Sequence, residues 1–112
     1  MKKSDIIRLQ HMLDAAREIR SYTNKHSREE VEKEWILILG LVKAVENIGE
    51  AASNVSPEVR AEIPTIDWDR IIGMRHRLVH AYFNIDKDIL WRTIAYNIPG
   101  LIEELEAIPQ IQ

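Results

Sequence analysis

Apolar residues recur along this chain at intervals of three and four and nowhere in strict alternation, which commits the backbone to helices. Ile6, Leu9, Leu13, Ala16, Ile19 and Tyr22 keep that spacing, with Asp5, Arg8, Arg17 and Glu18 on other faces. The spacing predicts an amphipathic helix over 4–25. Ser27 followed by Glu30 has the form of a capping box opening a second helix. That helix carries Trp35, Ile38, Leu41, Val42, Val45, Ile48 and Ala52, with Leu37 and Leu39 besides. Apolar almost all round in its first half, it reads as the central element. Asn54-Val55-Ser56-Pro57 ends it, and Ser56 with Pro57 at a first helical position starts one short turn to about Glu62.

Ile63-Pro64-Thr65-Ile66 is a linker, because the residue before a proline is pushed away from helical angles. Asp67 then caps a third helix over 68–80. Tyr82-Phe83-Asn84-Ile85-Asp86 breaks the pattern, and Asp86 caps a fourth helix carrying Ile89, Leu90, Thr93 and Ile94. Beyond Pro99-Gly100 the same stripe resumes with Leu101, Ile102 and Leu105, so Pro99 should kink or interrupt that helix. The expected fold is all-α, an antiparallel bundle of four to five helices in a single domain spanning 1–112.

A chain of 112 residues can bury about two thirds of its unfolded surface, enough for one real core. With 46% hydrophobic and 29% charged residues it has the balance of an ordered globular protein. The absence of cysteine excludes disulfides, thiolate zinc sites and thiol catalysis, and favours a cytoplasmic setting. The N-terminal Met-Lys-Lys-Ser-Asp-Ile-Ile-Arg has no apolar run of signal-peptide type. The longest uncharged apolar run, 35–42, is too short to cross a bilayer, so no membrane association is expected.

The net charge of −3 provides no global attraction for nucleic acid, so any polyanion must be held locally. From Arg70 to Tyr82 the chain has three arginines, two histidines and no acid. On an unbroken α-helix, Trp68, Ile71, Ile72, Leu78 and Val79 would all fall within about 60° of Arg75. Arg75 is therefore expected at the centre of an apolar stripe, facing a cleft or subunit interface, because a buried unpaired guanidinium is costly. His76 and His80, four apart, flank it. Such a group suits phosphodiester chemistry on RNA without a metal. The arginine holds the phosphate and neutralises charge growing on its oxygens, and an imidazole moves the proton of a ribose hydroxyl or of the leaving oxygen.

The bland readings stand beside this one. A helical Arg/His cluster is commonly a solvated face or a salt-bridge network. His76 and His80 also have the spacing of a His-x-x-x-His metal pair, but no Glu lies between them and no third ligand is adjacent. Trp35, Trp68 and Trp91 read as core or interface aromatics. Glu46 and Glu50 form an acidic pair one helical turn apart, of which Glu50, within Gly49-Glu50-Ala51-Ala52, is the candidate counter-charge for Arg75. Tyr82 lies just past the helix end, where its hydroxyl could anchor a loop or accept a covalent modification.

Arg75-x4-His80-x-Tyr82 resembles the Arg-x4-His-x-Tyr signature of the HepT-like toxins, a branch of the all-helical HEPN superfamily. Arg77-Leu78-Val79-His80, Gly73-Met74, Ile48-Gly49-Glu50-Ala51-Ala52 and the Pro64 linker are similar to the same branch, so the resemblance spans nearly the whole chain. It implies a homodimeric, metal-independent endoribonuclease that acts as a toxin, needs no cofactor, and is paired with a minimal nucleotidyltransferase antitoxin. It implies further that Arg75 binds and polarises the phosphate, that His80 is the general acid or base, and that His76 supports them. Tyr82 is then the residue that the antitoxin adenylylates. An adenylyl phosphate at Tyr82 would bring negative charge beside Arg75, Arg77 and two histidines and compete with the phosphate of RNA. The alternative is a non-catalytic helical module that only pairs with the transferase.

Overall fold

The computed structural model describes residues 1–80 and 84–112, with the side chains of Val79 and His80 outside that description. The first apolar stripe forms α1 (Lys3–Thr23), burying Leu9, Met12, Leu13, Ala16 and Ile19. Ser27 makes the expected capping box with Glu30 and opens α2 (Arg28–Lys33). The second helix is not continuous from there. Glu34 is extended at φ −104° and ψ 91°, ending α2 and preceding α3 (Trp35–Ser53). The break lets α2 turn aside and dock, with Val31 in the core and Arg28 pairing with both Glu32 and Asp88.

Ser56 accepts from the Val59 amide and, with Pro57 at the first position, opens α4 (Pro57–Glu62). Asp5 reaches across to this cap, its Oδ1 accepting from the Ser56 N–H at 2.8 Å and its Oδ2 from the Ser56 hydroxyl at 3.1 Å. The donated backbone hydrogen bond, foremost, holds the buried Asp5 carboxyl below its ordinary pKa. Asp67 caps α5 (Trp68–Ile72), and Asp86 caps α7 (Lys87–Arg92), each accepting from the amide three residues on. After α7 the helix widens into a π turn over Thr93–Asn97 before resuming as α8 (Ile98–Glu106). Pro99 supplies no amide to the residue one turn before it and its ring crowds that carbonyl, so the distortion falls where the sequence expected an interruption. A 3₁₀ turn, Pro109–Ile111, ends the described chain.

The result is the expected all-α bundle. α1 and α3 are antiparallel neighbours, since Tyr22 shares a recess with Leu37 and Arg8 shares one with Asn54. The smallest dimension, 19 Å, is two helix layers thick. Leu9, Ile48, Leu78, Ile94, Ile98 and Leu105, all at 0% exposure, join the layers. Each such side chain contributes roughly 1.5–3 kcal/mol by leaving water.

The expected helix over 68–80 divides in two. α5 stops at Gly73, α6 (Met74–Leu78) follows, and Val79–His80 forms a two-residue strand, β1, paired antiparallel with β2 (Asn84–Ile85). Gly73, a weak helix former, donates its N–H to Asp69 O at 2.9 Å, closing α5. Close approach of α5 to α3 depends on another glycine. A Cβ on Gly49 would lie 3.0 Å from the Ile71 carbonyl oxygen and 3.5 Å from that of Ile72.

Candidate functional site

The basic window falls on the short helix α6 and the strand that follows it. Met74 and Leu78, one turn apart, are buried, and the three residues between them, Arg75, His76 and Arg77, are exposed. This corrects the expectation that Arg75 lies at the centre of the apolar stripe. That placement assumed one helical phase from Trp68 onward. The break at Gly73 resets the phase, so the buried series is Trp68, Ile71, Met74 and Leu78 and Met74 takes the inward place.

The Arg75 side chain is 52% exposed and lies along α3, its Nε 3.1 Å from Oε1 of Glu46, whose own side chain is 26% exposed. The counter-charge is thus Glu46 rather than Glu50. Both carboxylates stand on the same face of α3, one turn apart, but α6 crosses α3 at the level of Glu46. Glu50 is exposed, and its backbone carbonyl accepts from Ser53 Oγ at 2.7 Å and Asn54 Nδ2 at 2.9 Å. The small residues around Glu50 do permit close approach of a second helix, and it is Gly49 that receives α5.

The Glu46 contact uses Nε of Arg75, and the two terminal nitrogens of a guanidinium can then present a fork to an oxyanion. His76 and Arg77 extend the exposed cationic edge. The His80 backbone sits in β1 opposite Asn84, while its side chain and the whole of Tyr82 fall outside the described residues. Among the described residues no group of three His, Asp or Glu gathers in a metal-binding arrangement.

Of the three tryptophans, Trp68 is buried with its indole N–H shared between the Arg60 and Ile63 carbonyls at 3.1 and 3.0 Å, and Trp91 packs on the core. Trp35 is 52% exposed. An apolar recess of about 670 Å³ among α1, α2 and α3 has Glu18, Glu30 and Glu34 on its rim against Lys33 and His26, and no residue of α6 lines it. Its carboxylates suit it poorly to a polyanion. No described helix is long and apolar enough to cross a membrane.

Comparison with known proteins gives a consistent result. The family model described as Ribonuclease HepT-like matches residues 12–108. A protein of Thermococcus cleftensis named probable ribonuclease HepT is 31% identical over 108 residues, covering 96% of this chain and 98% of that one. A candidate RNase of Caldanaerobacter subterraneus subsp. tengcongensis is 33% identical over 102 residues, 91% of each chain. A candidate RNase of Methanocaldococcus jannaschii is 28% identical over 109 residues, 96% of this chain and 100% of the other. No solved structure matches.

Proposed function

The chain belongs to the HepT-like ribonuclease family, and from that premise we propose that it is the toxin of a toxin–antitoxin pair, an endoribonuclease cutting RNA without a metal. The observation that carries this reading is the Arg75 guanidinium, presented on an open turn five residues before His80 and braced from behind by Glu46.

In the proposed reaction Arg75 takes the scissile phosphate and neutralises the charge that grows on its non-bridging oxygens. His80 acts as the acid–base group, accepting the 2′-hydroxyl proton as that oxygen attacks phosphorus, or returning a proton to the departing 5′-oxygen. His76 and Arg77 add positive potential along the same edge, and Glu50 belongs to the surrounding surface. Two copies of the chain form a homodimer whose paired motifs line one cleft. A minimal nucleotidyltransferase silences the site by adenylylating Tyr82. The setting is cytoplasmic.

The test is cleavage of a mixed bacterial RNA pool by the purified chain with chelator present, beside Arg75→Ala and His80→Ala. Cleavage by the wild type alone is expected. Intact RNA from the wild type, with undiminished binding to the transferase, would establish the non-catalytic module instead.

A further inference from the structure

The face of α6 opposite Glu46 holds a second cationic feature. Arg70 of α5, Arg77 of α6 and Arg92 of α7 line one recess of about 230 Å³ together with Met74, Ile89, Thr93 and Asn97. Among the described residues its lining contains no Asp or Glu. Arg17, Arg28 and Arg75 pair with carboxylates, whereas Arg8, Arg20 and Arg60 stand singly at separate places on the chain, so what distinguishes the recess is that three arginines share one lining. Leaving Asp86 aside, no carboxylate among the described residues stands within ion-pair distance of Arg70, Arg77 or Arg92, and the one side-chain hydrogen bond of Arg92 goes to the backbone carbonyl of Asp88 at 3.4 Å. Three like-charged side chains thus border one recess in a chain whose net charge is negative. Gathering them opposes their mutual repulsion, and an anion would relieve it.

Thr93 and Asn97 are neutral hydrogen-bonding residues at the two ends of the π turn. Helical distortions of this kind recur where a helix wall carries function. Arg75 and Arg77 stand two residues apart on α6, one toward α3 and the other toward α7. A strand crossing α6 would therefore meet a guanidinium on each flank.

We propose that the Arg70, Arg77 and Arg92 recess binds a phosphodiester of the RNA strand neighbouring the one held at Arg75. The identity of the ligand rests on the nuclease reading, and the recess itself rests on the three arginines that share its lining. Its role is to hold the strand in register across α6, with the scissile linkage on the Arg75 flank. Phosphate contacts of this kind position a strand without reading its bases.

The experiment measures fluorescence anisotropy of a labelled, fully 2′-O-methylated oligoribonucleotide as sodium chloride is varied. The probe lacks the attacking hydroxyl, so binding is read independently of cleavage. The full chain is compared with Arg70→Gln/Arg92→Gln, with Arg70→Lys/Arg92→Lys, and with Arg17→Gln/Arg20→Gln, which removes the same charge from α1. The recess pair is expected to bind about tenfold or more weaker at low salt, with the slope of log affinity against log salt shallower by about one to two. The lysine pair should recover the slope, and the α1 pair should leave both quantities near wild type.

Equal losses in the recess and α1 pairs would reduce the effect to net charge and overturn the proposal, as would an unchanged slope in the recess pair. Displacement of the probe by inorganic phosphate far below the ionic strength at which chloride displaces it would assign the recess to free phosphate and overturn the strand assignment. A wild type that binds the probe through the recess but leaves unmodified RNA intact would refute the nuclease reading alone. Cleavage with unaltered binding in the recess pair would refute the recess alone.

Discussion

Arg75 of α6 and Glu46 of α3 are joined across the bundle by a contact of 3.1 Å between Nε and Oε1. Both groups are partly exposed, so the pair adds little to stability. Its effect is on direction: it fixes which way the guanidinium points.

Arg75→Ala is accordingly expected to lower kcat for RNA cleavage by about 10²- to 10³-fold, the scale of losing one donor to a growing oxyanion. Glu46→Gln should lower kcat by roughly tenfold while leaving KM near its original value, because it loosens the aim of the guanidinium without removing it. Steady-state kinetics on a short RNA will separate the two. A rise in kcat for Glu46→Gln would instead identify the carboxylate as a competitor of phosphate.

Tyr82→Phe should cut RNA about as fast as the wild type and escape silencing. Incubation with the partner transferase and ATP, followed by intact-mass measurement, is expected to add adenylyl mass to the wild type and none to the variant. Equal modification of both chains would move the acceptor to another residue.

The two glycines of α3 should respond oppositely to alanine. Gly49→Ala places a methyl 3.0 Å from the Ile71 carbonyl oxygen, a rigid neighbour. Against that backbone oxygen the strain, about 1–3 kcal/mol, outweighs the helix-propensity gain of about 1 kcal/mol. Gly40→Ala meets nothing within 4 Å and should keep most of that gain. Thermal unfolding is expected to show Tm falling for the first and rising by a few degrees for the second. A normal Tm for Gly49→Ala would mean that α5 can retreat, and RNA cleavage would then show whether Arg75 retreats with it.

Glu104 on α8 carries a buried carboxylate oxygen, Oε2, with no hydrogen-bond partner among the described residues. Burial, above all, raises its pKa; Asp67 and Glu103 add to the rise and the Thr65 hydroxyl offsets part of it. A carboxyl whose folded pKa exceeds its unfolded one loses stability as pH climbs from the ordinary value of about 4.3 through the raised one. Glu104→Gln should therefore exceed the wild type in Tm at neutral pH, with the gap closing toward about pH 4. Asp5 shifts in the opposite direction, and its contribution is lost on acidification of both proteins alike, so the difference between them isolates Glu104. A gap that does not change with pH would leave burial of this group without consequence.

The helices and most of their caps were legible because each depends on residues close in sequence. Ser27 with Glu30, Ser56 with Pro57, Asp67 and Asp86 all cap where their chemistry places them. Pro99 marked the interruption that the π turn provides. The breaks at Glu34 and Gly73 were not legible, since each depends on what the helix meets in space: α7 for Arg28, and Gly49 for the α5 carbonyls. The residue types of the basic window were plain, but the direction of Arg75 was not, because the break in phase turns the buried stripe by roughly a quarter-turn away from it. Choosing Glu46 over Glu50 required the height at which α6 crosses α3, a quantity set by the whole bundle. Arg92 was overlooked for a related reason: it lies outside the basic window, and only the return of α7 brings it to Arg70 and Arg77.

The short helix α6 is pinned at its ends by Met74 and Leu78 and faces water in between. Substitutions at its three middle positions leave the interior packing untouched. A framework anchored this way separates what holds the fold from what sets the surface charge, so a change of charge at 75–77 reaches solvent without passing through the interior.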